Sequence, residues 1–522
     1  MRAKVLLLSV SRCFAKWLLL GGVTALLAIP PAYIALQWFY AGDSYWTHLR
    51  EHLLTDYFQH TVLLSSGVLL GTLLLGISTG WTVATYEFPA RGIFSWMLAL
   101  PLAIPAYIDA YVYKYTFERG LLRVLPFRPD VMHLGGAIGV MSLALYPYVY
   151  LVSRAIFQKQ AASALEAAQL LGASSARRFL AIALPMARPA ITGSAMLVLM
   201  ECLNEYGTVK YYGVPTFSVG IFRAWFAAGS VHSAMKLAAL LLLLIFLLNI
   251  AEQWLTRKLH YTTRKSERLI TRQFLRGKQA VIAVLICLVP TTLGFLFPFL
   301  QLIWWAYSGW QIGLINWELS RYLLQTLQLA LPTALLIVLV ALLLAYLQRV
   351  GTTPFTRWVI QLTRLGYAMP GAVVAIGILA FLLAVGQLLQ TFLVGTLTAL
   401  SYAYLVRFMA VAFSPLEAGL KKISPSLDEA ANILGKNRFQ VLVQVHLPLL
   451  RSALLAALML VGVDILKELP LTLILRPFNF DTLATIAYQY ADDEKLPQSA
   501  AASCLIVLAG MLPVLLLDRL NK

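Results

Sequence analysis

Long apolar stretches alternate with short polar ones along the whole chain. About 20 apolar residues cross the hydrocarbon core of a bilayer as a helix. By that ruler spans are expected near 17–39, 61–83, 93–113, 135–157, 188–208, 234–254, 281–306, 324–347, 358–384, 391–412, 451–470 and 498–516. Backbone polar groups in hydrocarbon must be satisfied within their own segment, and the runs are far too long for barrel strands, so helix is the workable reading. The pattern predicts an all-α polytopic membrane protein with about twelve transmembrane helices, six on either side of a polar stretch at 255–280.

The polar segments are not independent of one another. Residues 164–189 read ALEAAQLLGASSARRFLAIALPMARP and residues 427–452 read LDEAANILGKNRFQVLVQVHLPLLRS. Glu166 matches Glu429, Gly172 matches Gly435, Pro185 matches Pro448 and Arg188 matches Arg451, every pair 263 residues apart. A fixed offset over that distance marks a duplicated unit. HTVLLSSG at 60–67 resembles QTLQLALP at 325–332, and Pro105 resembles Pro370, now 265 residues apart. Six spans per copy make the two repeats parallel, related by an axis along the membrane normal. The expected division is a first domain at 1–254 with its polar loop at 158–187, a basic linker at 255–280, and a second domain at 281–522 with its loop at 414–450.

Charge orients this layout. Segment 255–278 carries eight Lys or Arg against one acid, Glu267, and the N-terminal stretch before residue 17 carries Arg2, Lys4, Arg12 and Lys16 with no acid. By the positive-inside rule both lie in the cytoplasm. The span count then places both repeated loops and both termini there too. Loops 40–60 and 471–497 lean acidic and face outward, whereas loop 114–134, with Lys114, Arg119, Arg123 and Arg128, runs against the rule. The first apolar run is too long for a signal-peptide core and reads as an uncleaved helix. The net charge of +18 does not point to nucleic acid, because the basic residues gather beside apolar runs and 60% of the chain is hydrophobic. Four scattered cysteines (Cys13, Cys202, Cys287, Cys504) form no disulfide or metal-binding spacing.

In each repeated loop a short amphipathic helix is expected to end at a glycine, which permits the left-handed C-terminal turn. A second helical stretch then reaches Leu-Pro. Glu166, Ala167, Ala168 and Gly172 in one copy, and Glu429, Ala430, Ala431 and Gly435 in the other, offer a charge beside small residues that another protein can approach closely. A solvated hairpin with no partner is the plainer reading, but a passive loop has no reason to keep its pattern in both halves.

E-A-A, three residues, G, then a hydrophobic stretch ending in L-P resembles the loop of permease subunits in ATP-binding-cassette importers. The resemblance covers essentially the whole chain, as two fused permease domains. It implies that the Glu-Ala-Ala helices dock on two copies of a cytoplasmic ATPase, that a periplasmic binding protein delivers the substrate, and that the chain sits in a bacterial inner membrane. Segments 203–226 and 466–485 are most similar to ferric-iron permeases; fused thiamine and phosphonate permeases share the layout. Polyamine and oxyanion cargoes, an ion-coupled secondary transporter and a non-transporting scaffold stand as alternatives.

No GxxxxGK[ST] occurs, so this chain has no phosphate-cradling loop, and ATP with its Mg²⁺ belongs to the partner. No catalytic set stands out and no stable metal site or cofactor is expected. Glu201 and Glu205 in one repeat and Asp464 and Glu468 in the other are again 263 residues apart. Their i, i+4 spacing is expected to put both carboxylates of a pair on one helix face. Acids at membrane depth usually face a cavity, so these four are candidates for lining a cation path, with pairing to Lys467 or Lys210 as the structural alternative. Asp109 is expected to be paired within its bundle.

Overall fold

The structure is a computed structural model that describes residues 21–40, 42–118, 131–159, 162–256, 272–314, 317–350 and 353–520. In chain order α1 is Gly21–Gln37, α2 Ser44–Thr85, β1 Tyr86–Glu87, α3 Arg91–Ala103, α4 Ala106–Glu118, α5 Leu134–Lys159, α6 Ala162–Leu170 and α7 Ser175–Asn204. Then follow α8 Gly207–Tyr211, α9 Phe217–Ala227, α10 Val231–Thr256, β2 Gln273–Phe274, α11 Lys278–Gln311 and α12 Glu318–Val350. The remainder are α13 Pro354–Ala368, α14 Gly371–Leu389, α15 Leu397–Lys422, α16 Pro425–Ile433, α17 Arg438–Leu449, α18 Arg451–Lys467, α19 Pro470–Leu475, α20 Leu483–Asp492 and α21 Leu496–Leu520.

Among the described residues nine helices are long and apolar enough to cross a membrane, or up to eleven if α3 with α4 and α17 with α18 each count as one bent span. The protein is an all-α polytopic membrane protein. The expected span at 358–384 is in fact two helices, α13 and α14, parted at Met369–Pro370. Proline disfavours the α conformation in the residue before it. Met369 is accordingly extended (ψ 130°), and so is Ile104 (ψ 117°) before Pro105, where α3 and α4 meet at 93°.

The chain forms two compact units, and they cut across the sequence halves. One comprises 42–319 with 483–522, the other 1–41 with 320–482. In the first unit α2 lies along α5 at close range. Gly67, Gly76 and Gly80 make this possible, since a Cβ there would meet Ile138 at 2.5 Å, Val149 at 2.5 Å and Ser153 at 2.9 Å. Small residues at this spacing let helix backbones approach where lipid supplies no hydrophobic drive. Trp81, Phe157, Leu165, Ala183 and Ile191 close the core at one end of this pair. Val83, Phe94, Tyr146 and Tyr150 pack on Ala283 and Cys287 of α11.

In the second unit α1 packs on helices that lie several hundred residues away in sequence. Gly377 of α14 has no Cβ because Ile34 and the Pro30 carbonyl occupy that space, Tyr402 of α15 donates to the Leu26 carbonyl (2.6 Å), and Tyr33 meets Phe381 edge-on. Around them Val374, Ile376, Tyr404 and Phe413 are fully buried.

Candidate functional site

The two repeated loops adopt one backbone. Each short helix, α6 or α16, ends at a glycine in the left-handed region, Gly172 at φ +78° and Gly435 at φ +74°. A side chain there would meet nothing, so backbone conformation alone selects glycine. The turn is closed by Ala173 N donating to the Ala168 carbonyl (2.9 Å) and Lys436 N to the Ala431 carbonyl (3.0 Å), the six-residue closure that satisfies a helix C-terminus. Ser174 caps α7 through Arg177 N (3.3 Å), and Asn437 caps α17 through Gln440 N (2.9 Å). Both following helices then widen by one residue over a single turn, at Phe179–Ala183 and Leu442–His446, again 263 residues apart. Such one-turn widenings recur at functional sites.

What anchors each loop differs. Leu165, at the root of α6, is buried among Trp81, Phe157 and Phe179. The matching position is Asp428, where Oδ2 accepts from Arg349 Nε (2.8 Å) and Oδ1 lies 2.8 Å from Nε2 of the fully buried His446. Arg349 also donates to the Ile423 carbonyl (3.1 Å), and Tyr346 donates to the Arg438 carbonyl (2.6 Å). The first loop is additionally held by Arg178, 8% exposed, whose guanidinium donates to Gln169 (2.7 Å) and Gln273 (3.2 Å).

The motif residues lie at the surface of these hairpins. Glu429, Ala167 and Ala430 are exposed, Glu166 and Ala168 half-buried, and Ala431 buried. Sequence reasoning missed their most exposed neighbours. Leu170 (89%) and Leu171 (88%) match Ile433 (86%) and Leu434 (77%), with Phe439 also bare. Apolar pairs bare at equivalent places in both copies are candidates for a contact surface. The signal was present in the sequence as L-L-G and I-L-G.

The four membrane acids do not form the expected i, i+4 pairs. α7 stops at Asn204 and α18 at Lys467, so Glu205 (ψ 126°) and Glu468 (ψ 118°) are extended and leave the face that carries Glu201 and Asp464. Each glutamate instead caps the next short helix. Glu205 Oε1 accepts from Thr208 N (2.9 Å) and Oγ1 (3.0 Å), and Glu468 Oε1 accepts from Leu471 N (3.2 Å). Glu468 is buried in an ion pair with Arg407 (3.2 Å), which also donates to the Met369 carbonyl (3.1 Å), and Gly371 leaves room for both side chains. The sequence reading had not singled out Arg407. Lys210 pairs with Asp492 (3.2 Å). Asp109 was expected to be paired, yet it is 1% exposed and neither carboxylate oxygen has a hydrogen-bond partner among the described residues. No cluster of three or more His, Cys, Asp or Glu suited to a metal ion occurs among the described residues.

Residues 72–261 and 338–522 match the family described as binding-protein-dependent transport system inner membrane component, once in each half and across each repeated loop. The chain is 27% identical over 477 residues to the Fe(3+)-transport system permease protein FbpB 2 of Haemophilus influenzae, covering 89% of this chain and 90% of that protein. It is 29% identical over 166 residues to a putative 2-aminoethylphosphonate transport system permease protein, PhnV, of Salmonella typhimurium, covering 32% of this chain and 61% of that one. It is also 23% identical over 234 residues to the molybdate/tungstate transport system permease protein WtpB of Thermococcus kodakarensis, covering 44% of this chain and 90% of that one. With two matched halves, apolar helices throughout and a duplicated surface loop, the chain belongs to the binding-protein-dependent transport system inner membrane component family, as a multi-pass inner membrane protein.

Proposed function

We propose that this chain supplies both membrane halves of an ATP-driven importer and that its cargo is ferric iron. The observation that carries the cargo is the extent of likeness. The match to the ferric-iron permease runs through both halves, whereas those to the phosphonate and molybdate permeases cover less than half of this chain.

In this reading two copies of a cytoplasmic ATPase seat on the exposed faces of α6 and α16. Leu170, Leu171, Ile433 and Leu434 fill apolar hollows, Ala167 and Ala430 allow close approach, and Glu166 and Glu429 pair with partner cations. Gly172 and Gly435 set the angle at which each helix meets its partner. Mg²⁺ and ATP are held by those partners; this chain contributes no cofactor and no catalytic group. A periplasmic binding protein delivers cargo to the outer segments near 208–233 and 471–497, and both termini face the cytoplasm. ATP-driven closure of the partners pulls the two loops and rocks the helices that carry them. Glu201 and Asp464 carry oxygen ligands of the kind a hard cation prefers, while Glu205 caps α8. Glu468, already neutralised by Arg407, holds helix ends in register.

Radiolabelled ferric-iron uptake in cells lacking the protein tests this directly. Wild type restores uptake, and the Glu166→Ala/Glu429→Ala double variant does not. A wild-type protein that reaches the membrane yet takes up no iron overturns the cargo, and phosphonates and oxyanions are then the next candidates. Uptake that survives ATP depletion while an ion gradient is clamped overturns the ATP-driven class.

A further inference from the structure

The chain between the halves returns to the first repeated loop before it enters α11. Residues 273–274 pair in parallel with residues 86–87 at the end of α2, in the register Tyr86 with Gln273 and Glu87 with Phe274. Leu275 N extends the ladder to the Glu87 carbonyl (3.0 Å). These are the only strands among the described residues. Glu87 lies between two guanidinium groups, Arg91 at 3.7 Å and Arg272 at 3.8 Å.

The same two residues reach the loop through side chains. Gln273 Nε2 donates to Gln169 Oε1 (2.6 Å), and its Oε1 accepts from Arg178 NH2 (3.2 Å). Arg178 NH1 donates to Gln169 (2.7 Å), closing a three-membered ring of bonds that spans the linker, α6 and α7. Tyr86 bonds Ser175 beside it. Gln169 stands one turn beyond Glu166, so this ring grips the helix that carries the motif. Among the described residues the second loop shows no such ring, for Arg178 is matched there by Val441, which is buried.

We infer that Arg272–Leu275 is a strap that fixes the first docking helix, with Gln273 and Arg178 as positioning residues for ATPase engagement at that loop alone. A buried guanidinium strands its donors if either glutamine is withdrawn, and the cost of an unsatisfied buried donor keeps the ring closed. The strap ties the orientation of α6 to the covalent joint between the halves, so the two loops of one chain are held by unlike means. The docking role rests on the proposed function; the strap itself does not.

The test uses the full chain in lipid nanodiscs and amide hydrogen exchange. Gln273→Ala is expected to speed exchange about tenfold over 162–171 and to leave 425–434 unchanged. Gln273→Glu keeps the acceptor for Arg178 but loses the donor to Gln169 Oε1, so its exchange over 162–171 is expected to fall between wild type and Gln273→Ala. No change over 162–171, or equal acceleration in both loops, overturns the strap. A second arm places cysteine at Leu170 or Ile433 and crosslinks to a co-expressed ATPase of an ATP-binding-cassette importer. Gln273→Ala is expected to lose the Leu170 crosslink and keep that at Ile433; loss of both, or of neither, overturns the positioning role. If the wild-type chain crosslinks at neither position, the docking reading fails while the exchange result still decides the strap.

Discussion

At the root of the first repeated loop stands a leucine in an aromatic nest, and 263 residues later, at the same place in the second, stands an aspartate between an arginine and a buried histidine. The backbones agree down to the left-handed glycine and the one widened turn. The two copies therefore share the loop backbone on different foundations, apolar in one and ionic in the other. Between these two copies the loop backbone differs less than the contacts that support it.

Exchanging the foundations is the severest way to break this comparison. Leu165→Asp buries a carboxylate with no cation waiting, and about 4 kcal/mol of local stability should be lost. Amide exchange over 162–171 should rise steeply while 425–434 stays put. Arg349→Leu strips Asp428 of its partner and two turn carbonyls of their donor, which should weaken the second loop by about 3 kcal/mol; exchange over 425–434 reads it, and an equal effect at the first loop would contradict independent anchoring. Asp428→Asn keeps an acceptor and removes only charge, so a loss of about 1 kcal/mol is expected by the same readout. Leu170→Asp and Ile433→Asp sharpen the comparison from the other side. Both sites are almost bare, and thermal unfolding should move by no more than about 0.5 kcal/mol, while ferric-iron uptake should fall to background in either variant. If only one variant loses uptake, the two loops are not equivalent contact surfaces.

Fold class, duplication and the positions of the loops were legible in the sequence because each is written in local periodicity or in a repeated string. The glycine turns at Gly172 and Gly435 were legible for the same reason. The division of 358–384 into two helices was half legible. Pro370 had been noticed, but an apolar run shows no break when both pieces are apolar. The ends of α7 and α18 at Asn204 and Lys467 were missed although Gly207 and Pro470 follow three residues on, because the apolar run continues past each break; the glutamate that follows each helix caps the next one. Arg407 escaped notice because ion pairing across helices leaves no trace in spacing. The basic loop at 114–134 falls largely in residues 119–130, outside the described residues, as does the linker over 257–271.

The packing of α1 carries a consequence for synthesis. Gly377, the residue whose missing side chain makes room for Ile34, leaves the ribosome 343 residues after it. At 5–20 residues per second that interval is roughly 20–70 s. For that time α1 is without the residues of α14 and α15 that it packs on, which are not yet translated. Maturation of this permease thus includes a waiting step, whose length is set by translation speed rather than by any barrier within the folded protein.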